Sequence, residues 1–227
     1  MKFWPNLDRA QFDDYPQVPE KAIFWATETG HGNMYNGDSS HFPDRLAMDA
    51  RRNADWPTPL ATFKEAVSQA VKRVWILDHY FLDPEQDKGT RTERIDQILR
   101  MITENMIATD IRIITRNHNK NRDDKTENLI LNQFSEHIEI INSYKGKDDP
   151  PCKIELRFTL SKLQYRVHDR FAIIDNELWH FGATVGGFYS QVSAATRGWK
   201  ASDHRADDFF EIAWNAPKIQ GKEKNDY

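Results

Sequence analysis

The chain has 227 residues, with 31 Lys plus Arg against 35 Asp plus Glu and a formal net charge of −4. That size suits one large domain or two small ones, and the balance argues against a protein that coats nucleic acid or anionic lipid indiscriminately. With 39% hydrophobic, 12% aromatic and 29% charged residues it carries material for a core under a polar exterior, and its one cysteine, Cys152, excludes an intramolecular disulfide or a multi-thiolate metal site.

Residues 1 to 57 are rich in aromatics and turn formers, with loops at Thr29 to Asn33 and Asn36 to Ser40, and only Ala22 to Trp25 has strand character there. Thr58 caps a helix with Pro59 at its first position, and Leu60, Phe63, Val67, Ala70 and Val71 follow at helical spacing. Val74 to Asp78 is a buried strand. Residues 91 to 107 form an amphipathic helix on Ile95, Ile98, Leu99, Ile102 and Met106. Ile111 to Thr115 is the next strand and residues 124 to 136 the next helix, with Ile138 to Ile141 either a short strand or that helix's end. This alternation predicts parallel strands with helices on the sheet's faces. Ile154 to Phe158 alternates as a strand, and Phe171 to Asp175 with Leu178 to Phe181 predicts a hairpin around Asn176 and Glu177. Arg197 to Lys200 has the composition of a loop, Phe209 to Trp214 that of a final strand, and Lys218 to Tyr227 that of a mobile polar tail.

The longest uncharged stretch, Leu178 to Thr196, includes Gly182, Gly186, Gly187, Ser190 and Gln191, too polar for a membrane span. The first residues, Met1 to Asp8, lack an apolar run behind a basic start, so the cytoplasm is the expected compartment. His31, Asp38 and His41 lie in a loop composition that fixes no ligand geometry, and no metal or other cofactor is expected.

One segment carries chemistry. His168-Asp169-Arg170-Phe171-Ala172-Ile173-Ile174-Asp175 places an imidazole and a guanidinium two residues apart at the start of a hydrophobic strand. Alternation points both to one face, where one phosphate fits between them, and Asp175 is expected nearby. The segment resembles the signature of the phospholipase D superfamily, His-x-Lys, four residues, Asp, six residues, then Gly-Ser-x-Asn. Gly182 falls at the glycine, and Glu211 resembles the family's late glutamate. Arg170 stands where that family has lysine, Ala183 where it has serine and Val185 where it has asparagine, while Thr184 sits one residue out of register. Arginine keeps the charge and grips two phosphate oxygens at once. Residues 73 to 214 also resemble the phospholipase-D-like carboxyl-terminal domain of MIT (microtubule-interacting and trafficking) proteins, which binds phospholipid. There too a strand ends in Asp and an aromatic, here Asp78, His79 and Tyr80.

The resemblance implies an α/β fold, a phospholipase-D-like mixed sheet flanked by helices on both faces, over residues 58–216. Residues 1–57 are an irregular extension packed on it and 217–227 a tail. It implies a metal-independent phosphodiesterase in which His168, Arg170 and Asp175 are catalytic and Asp78, His79, Tyr80, Gly182, Thr184 and Glu211 bind substrate. Family members use two histidines, one attacking phosphorus and one protonating the leaving oxygen. A chain with one motif then needs a symmetric homodimer or a stand-in histidine such as His79 or His204. Nucleic acid is the favoured substrate over lipid, because soluble one-motif relatives tend to be dimeric nucleases. The alternative is a catalytically silent module that binds phospholipid headgroups, in peripheral membrane contact without a transmembrane segment, or the nucleic-acid backbone. Two basic sets would make a polyanion groove if they flank His168: Arg112, Arg116, Lys120, Arg122 and Lys125, then Lys145, Lys147, Lys153, Arg157, Lys162, Arg166 and Arg170. Tyr144, Tyr165 and Trp199 are available there for stacking.

Overall fold

The computed structural model describes residues 15–25, 43, 45–52, 59–85, 89–116, 125–163, 167–188 and 192–216. The loops holding His31, Asp38 and His41, the Thr58 cap, Lys120, Arg122, Tyr165, Arg166 and the tail lie outside these residues. In chain order the elements are β1 (Ala22–Trp25), α1 (Arg45–Arg52), α2 (Ala61–Ser68), β2 (Arg73–Leu77), α3 (Arg91–Leu99), β3 (Asp110–Ile114) and α4 (Lys125–Tyr144). There follow β4 (Lys153–Arg157), a 3-10 turn (Leu160–Lys162), β5 (Phe171–Ile174), β6 (Glu177–Phe181), β7 (Ala194–Lys200) and α5 (Ala206–Asn215).

The seven strands form one mixed sheet in the order β1-β7-β6-β5-β2-β3-β4. β2, β3 and β4 are parallel, joined through α3 and α4, and β5, β6, β7 and β1 add antiparallel neighbours. Every residue of β2 is buried, as expected of a central strand covered on both faces. Alternation sorts the side chains: Val74, Ile76, Ile111, Ile113, Ala172, Ile174, Trp179 and Phe181 face α2, α3 and α4. Trp75, Leu77, Ile114, Phe171 and Ile173 face α5 and the 3-10 turn. Helices therefore cover both faces of an α/β sheet. Among the described residues no helix is long and apolar enough to cross a membrane.

Four elements differ from the sequence expectation, and α4 decides between two alternatives. α2 starts at Ala61 with Leu60 as its N-cap, and the Leu60 N–H donates to Gly186 O at 2.7 Å rather than to a side-chain cap. α3 ends at Leu99 in a run of turns, although its start is fixed by a reciprocal capping box between Thr90 and Glu93. α4 runs on to Tyr144, so Ile138 to Ile141 is its end. Phe209 to Trp214 is helix, not strand: Phe210, Ala213 and Trp214 fall at i, i+3 and i+4, and Phe210 stacks on Trp75 at 4.9 Å. The segment Arg197 to Lys200 belongs to β7, a strand rather than a loop, held between β6 and β1 by its ladders.

Candidate phosphate pocket at the strand ends

The parallel strands β2, β3 and β4 end where β5 begins, because β5 runs antiparallel to β2. Ligands gather at such carboxyl ends. A cleft of about 240 Å³ opens there, lined by His79 and Tyr80 after β2, Leu160, Ser161 and Leu163 around the 3-10 turn, and Val167, His168 and Arg170 before β5. A cleft of this size is below the roughly 300 Å³ at which pockets begin to enclose a drug-sized molecule, so it has room for a small group the size of a phosphate rather than for a whole large ligand.

Alternation carries His168 and Arg170 to this cleft together, with Arg170 on the sheet face opposite Phe171. The same alternation sends Asp169 to the other face, where its carboxylate meets His180 Nε2 at 2.5 Å. His180 stands outside the His168 to Asp175 segment in sequence. Its strand position directly across from Phe171 was the available signal.

Asp78 is the fixed point of the site. It is fully buried, its Oδ1 accepts the Tyr80 N–H at 2.8 Å and its Oδ2 accepts the Val185 N–H at 2.8 Å, while Arg170 Nε lies 3.9 Å from Oδ1. Burial pushes the carboxyl up to about 6; the two backbone N–H groups, then Arg170 and lastly the Thr184 hydroxyl pull the other way. Burial follows from the loop after β6, which turns inward and sets Val185 and Phe188 in the core over Asp78. Thr184 lies in that loop, buried and with no standard hydrogen bond to its hydroxyl. Gly182 only ties the end of β6 to the start of β7, donating to Ala194 O at 2.9 Å.

His79 stands beside His168. Burial lowers its pKa most, and the charges of Arg116, His168 and Arg170 lower it further, with Asp83 opposing them. An uncharged imidazole is the resting form at neutral pH. Tyr80, 38% exposed, has the Arg116 and Arg170 guanidinium carbons 5.1 and 5.2 Å from its ring centroid.

Two predicted site residues are elsewhere. Asp175 terminates β5 at the far end of the sheet, roughly 16 Å of strand from Arg170 at about 3.3 Å per residue. There, at φ 54°, its carboxylate accepts the backbone N–H groups of Val71, Lys72 and Arg73, the last two at 2.7 and 3.1 Å. Glu211 lies on α5, not a strand, and holds Arg112 Nη1 at 2.6 Å over the middle of β3. His204 is in the turn between β7 and α5, whose Ser202 N–H reaches Asn176 at the hairpin end, so it is not a partner for His168. Among the described members of the two basic sets, Arg116 and Arg170 meet at Tyr80, whereas others are held away from the cleft. Arg112 is paired with Asp110 and Glu211, Arg157 donates to Trp214 O, and Tyr144 with Lys145 sits where α4 returns to the start of β4. Trp199 carries Lys21 over its ring beside the far end of β6. Among the described residues no group of three or more His, Cys, Asp or Glu is arranged to hold a metal ion.

No protein-family model matches the chain, and no curated protein matches it. Among the solved structures that resemble it in chain trace are three of named function or source. NucT from Helicobacter pylori is 11% identical, over 87% of this chain and 96% of its own, with a TM-score of 0.42. The phosphatidylserine synthase of Haemophilus influenzae Rd KW20 is 16% identical over 72% of this chain and 37% of its own, at 0.37. TrmBL2, an archaeal chromatin protein with a novel mode of DNA binding, is 13% identical over 70% and 49%, at 0.34.

Proposed function

We propose that the cleft is the active site of a phosphodiesterase acting on nucleic acid, complete within one chain. The observation that carries this is the meeting of two imidazoles, His79 and His168, with the Arg170 guanidinium in one small cleft. His168 attacks phosphorus, a nitrogen–phosphorus bond forms and the bond to the leaving oxygen breaks, and that oxygen takes its proton from His79. Water then attacks the phosphohistidine with His79 as base, releasing phosphate monoester and free His168. Arg170 neutralises the non-bridging oxygens throughout. Burial first, and the charges of Arg116, His168 and Arg170 after it, lower the His79 pKa; a phosphodiester anion offsets the cations' share and so favours the proton on His79 that the leaving oxygen takes.

One observation favours a second reading, a module that binds phosphate without turnover: the Val185 N–H is spent on Asp78 and Ala183 has no hydroxyl, so the loop after β6 offers few donors. The test is cleavage of single-stranded DNA, RNA and a lipid phosphodiester by wild type, His168→Ala and His79→Ala. Both variants are expected to lose cleavage of nucleic acid, with wild-type activity per chain independent of protein concentration. Cleavage surviving in His168→Ala would overturn the mechanism, and binding with no cleavage in wild type would establish the silent module.

A further inference from the structure

Arg116 entered the sequence reading only as one of a basic run, yet it lies beside the cleft. It follows β3, whose end pairs alongside that of β2, and Thr115 between them donates to His79 O at 3.3 Å. Its guanidinium carbon is 5.1 Å from the Tyr80 ring centroid, and that of Arg170 is 5.2 Å. The two cations are therefore no more than about 10 Å apart, the sum of those distances. Asp83 holds Arg116 from behind, with Nη2 to Oδ2 at 2.5 Å, while also pairing Arg91 at 3.2 Å. Arg116 Nε is buried without a hydrogen-bond partner, and the side chain remains 33% exposed. Arg91 and Arg116 thus share the Asp83 carboxylate, while Arg170 stands beside Asp78. Anchored by Asp83, with an Nε donor in hand and a second guanidinium against the same Tyr80 ring, Arg116 has the features of an anion-binding group rather than of a surface ion pair alone.

We propose that Arg116 is the second phosphate-gripping cation of the cleft, working with Arg170 and preset by Asp83. This rests on the phosphate-site reading of His168 and Arg170, and deepens it by naming a substrate-binding residue outside the motif. Its reach from Tyr80 makes the bound phosphate shared between the β3 end and the β5 start, so neither arginine alone suffices.

The experiment is calorimetric binding of inorganic phosphate to the full chain at low salt, for wild type, Arg170→Ala, Arg116→Ala, Arg116→Lys and the double variant Asp83→Asn with Arg116→Ala. The double variant avoids leaving the Asp83 carboxylate short of a partner, and thermal unfolding verifies that each variant is folded. Arg116→Ala and the double variant are each expected to weaken phosphate about tenfold or more, as Arg170→Ala does, with Arg116→Lys in between. Phosphate bound as in wild type by folded Arg116 variants, while Arg170→Ala loses it, would overturn this inference and leave the phosphate site standing. Binding unchanged in Arg170→Ala as well would overturn both.

Discussion

Asp78 makes the stability of this protein depend on pH in a direction opposite to that of most carboxylates. Its pKa rises from the ordinary 3.8 to about 6 because it is wholly buried. At 1.36 kcal/mol per pH unit that gap is worth about 3 kcal/mol. The folded state holds the proton more tightly than the unfolded chain does, so the contribution is complete below pH 4 and is lost as pH rises through 6. Asp78→Asn removes the titration while keeping the shape. Its carboxamide oxygen satisfies one of the Tyr80 and Val185 N–H groups and its amide confronts the other, a cost of about 1 to 2 kcal/mol that does not vary with pH. The assay is urea unfolding of both proteins from pH 4 to 7.5, followed by tryptophan fluorescence. Wild type is expected to lose about 2.4 kcal/mol relative to Asp78→Asn across that range. Parallel pH curves for the two proteins would refute the reasoning, because the carboxyl would then titrate alike in both states.

Two further outcomes follow from other residues. Asp175→Ala strips acceptors from three backbone N–H groups and places alanine at φ 54°, so it is expected to cost about 3 kcal/mol in urea unfolding, with phosphate binding by the folded fraction intact; a folded variant that no longer binds phosphate would put Asp175 back in the site. Cleavage carried by two imidazoles and an arginine is expected to withstand millimolar EDTA, and activity lost on chelation and restored by a divalent ion would point to different chemistry.

What could be read in advance depended on whether the cause was local. Val74 to Leu77 announces itself because a strand buried on both faces must be apolar throughout, and Ile111 to Ile114 because three of its four residues are isoleucine. Phe209 to Trp214 is an apolar run whose period is ambiguous over six residues; Trp75 beneath Phe210 decides it, and that partner is 135 residues away in sequence. β7 carries almost no apolar pattern, since its place is set by backbone ladders on both sides. In the site, the two-residue spacing of His168 and Arg170 was enough to bring them together. The five-residue step to Asp175 spans the whole of β5 and takes it to the other end, which the family pattern alone does not reveal. The place of Arg116 beside Tyr80 was invisible because only the side-by-side ending of β2 and β3 brings the two together.

Gly198 lies at φ 90° in β7, and a Cβ there would come within 2.5 Å of Glu20 O and of Lys21 Cα. The attachment of β1 thus hangs on a missing methyl group. Any side chain at 198 would push away the backbone that leads into β1, and β7 would become the sheet's outer margin, with its unpaired peptide groups turned to whatever extended chain came by. The opposite margin, β4, meets that hazard with alternating charges at Lys153, Glu155 and Arg157, whereas β1, Ala22 to Trp25, has no charge of its own. The molecule thus guards one border by repulsion and the other by occupancy, and only the second can be undone by a single substitution at a glycine far from any chemistry.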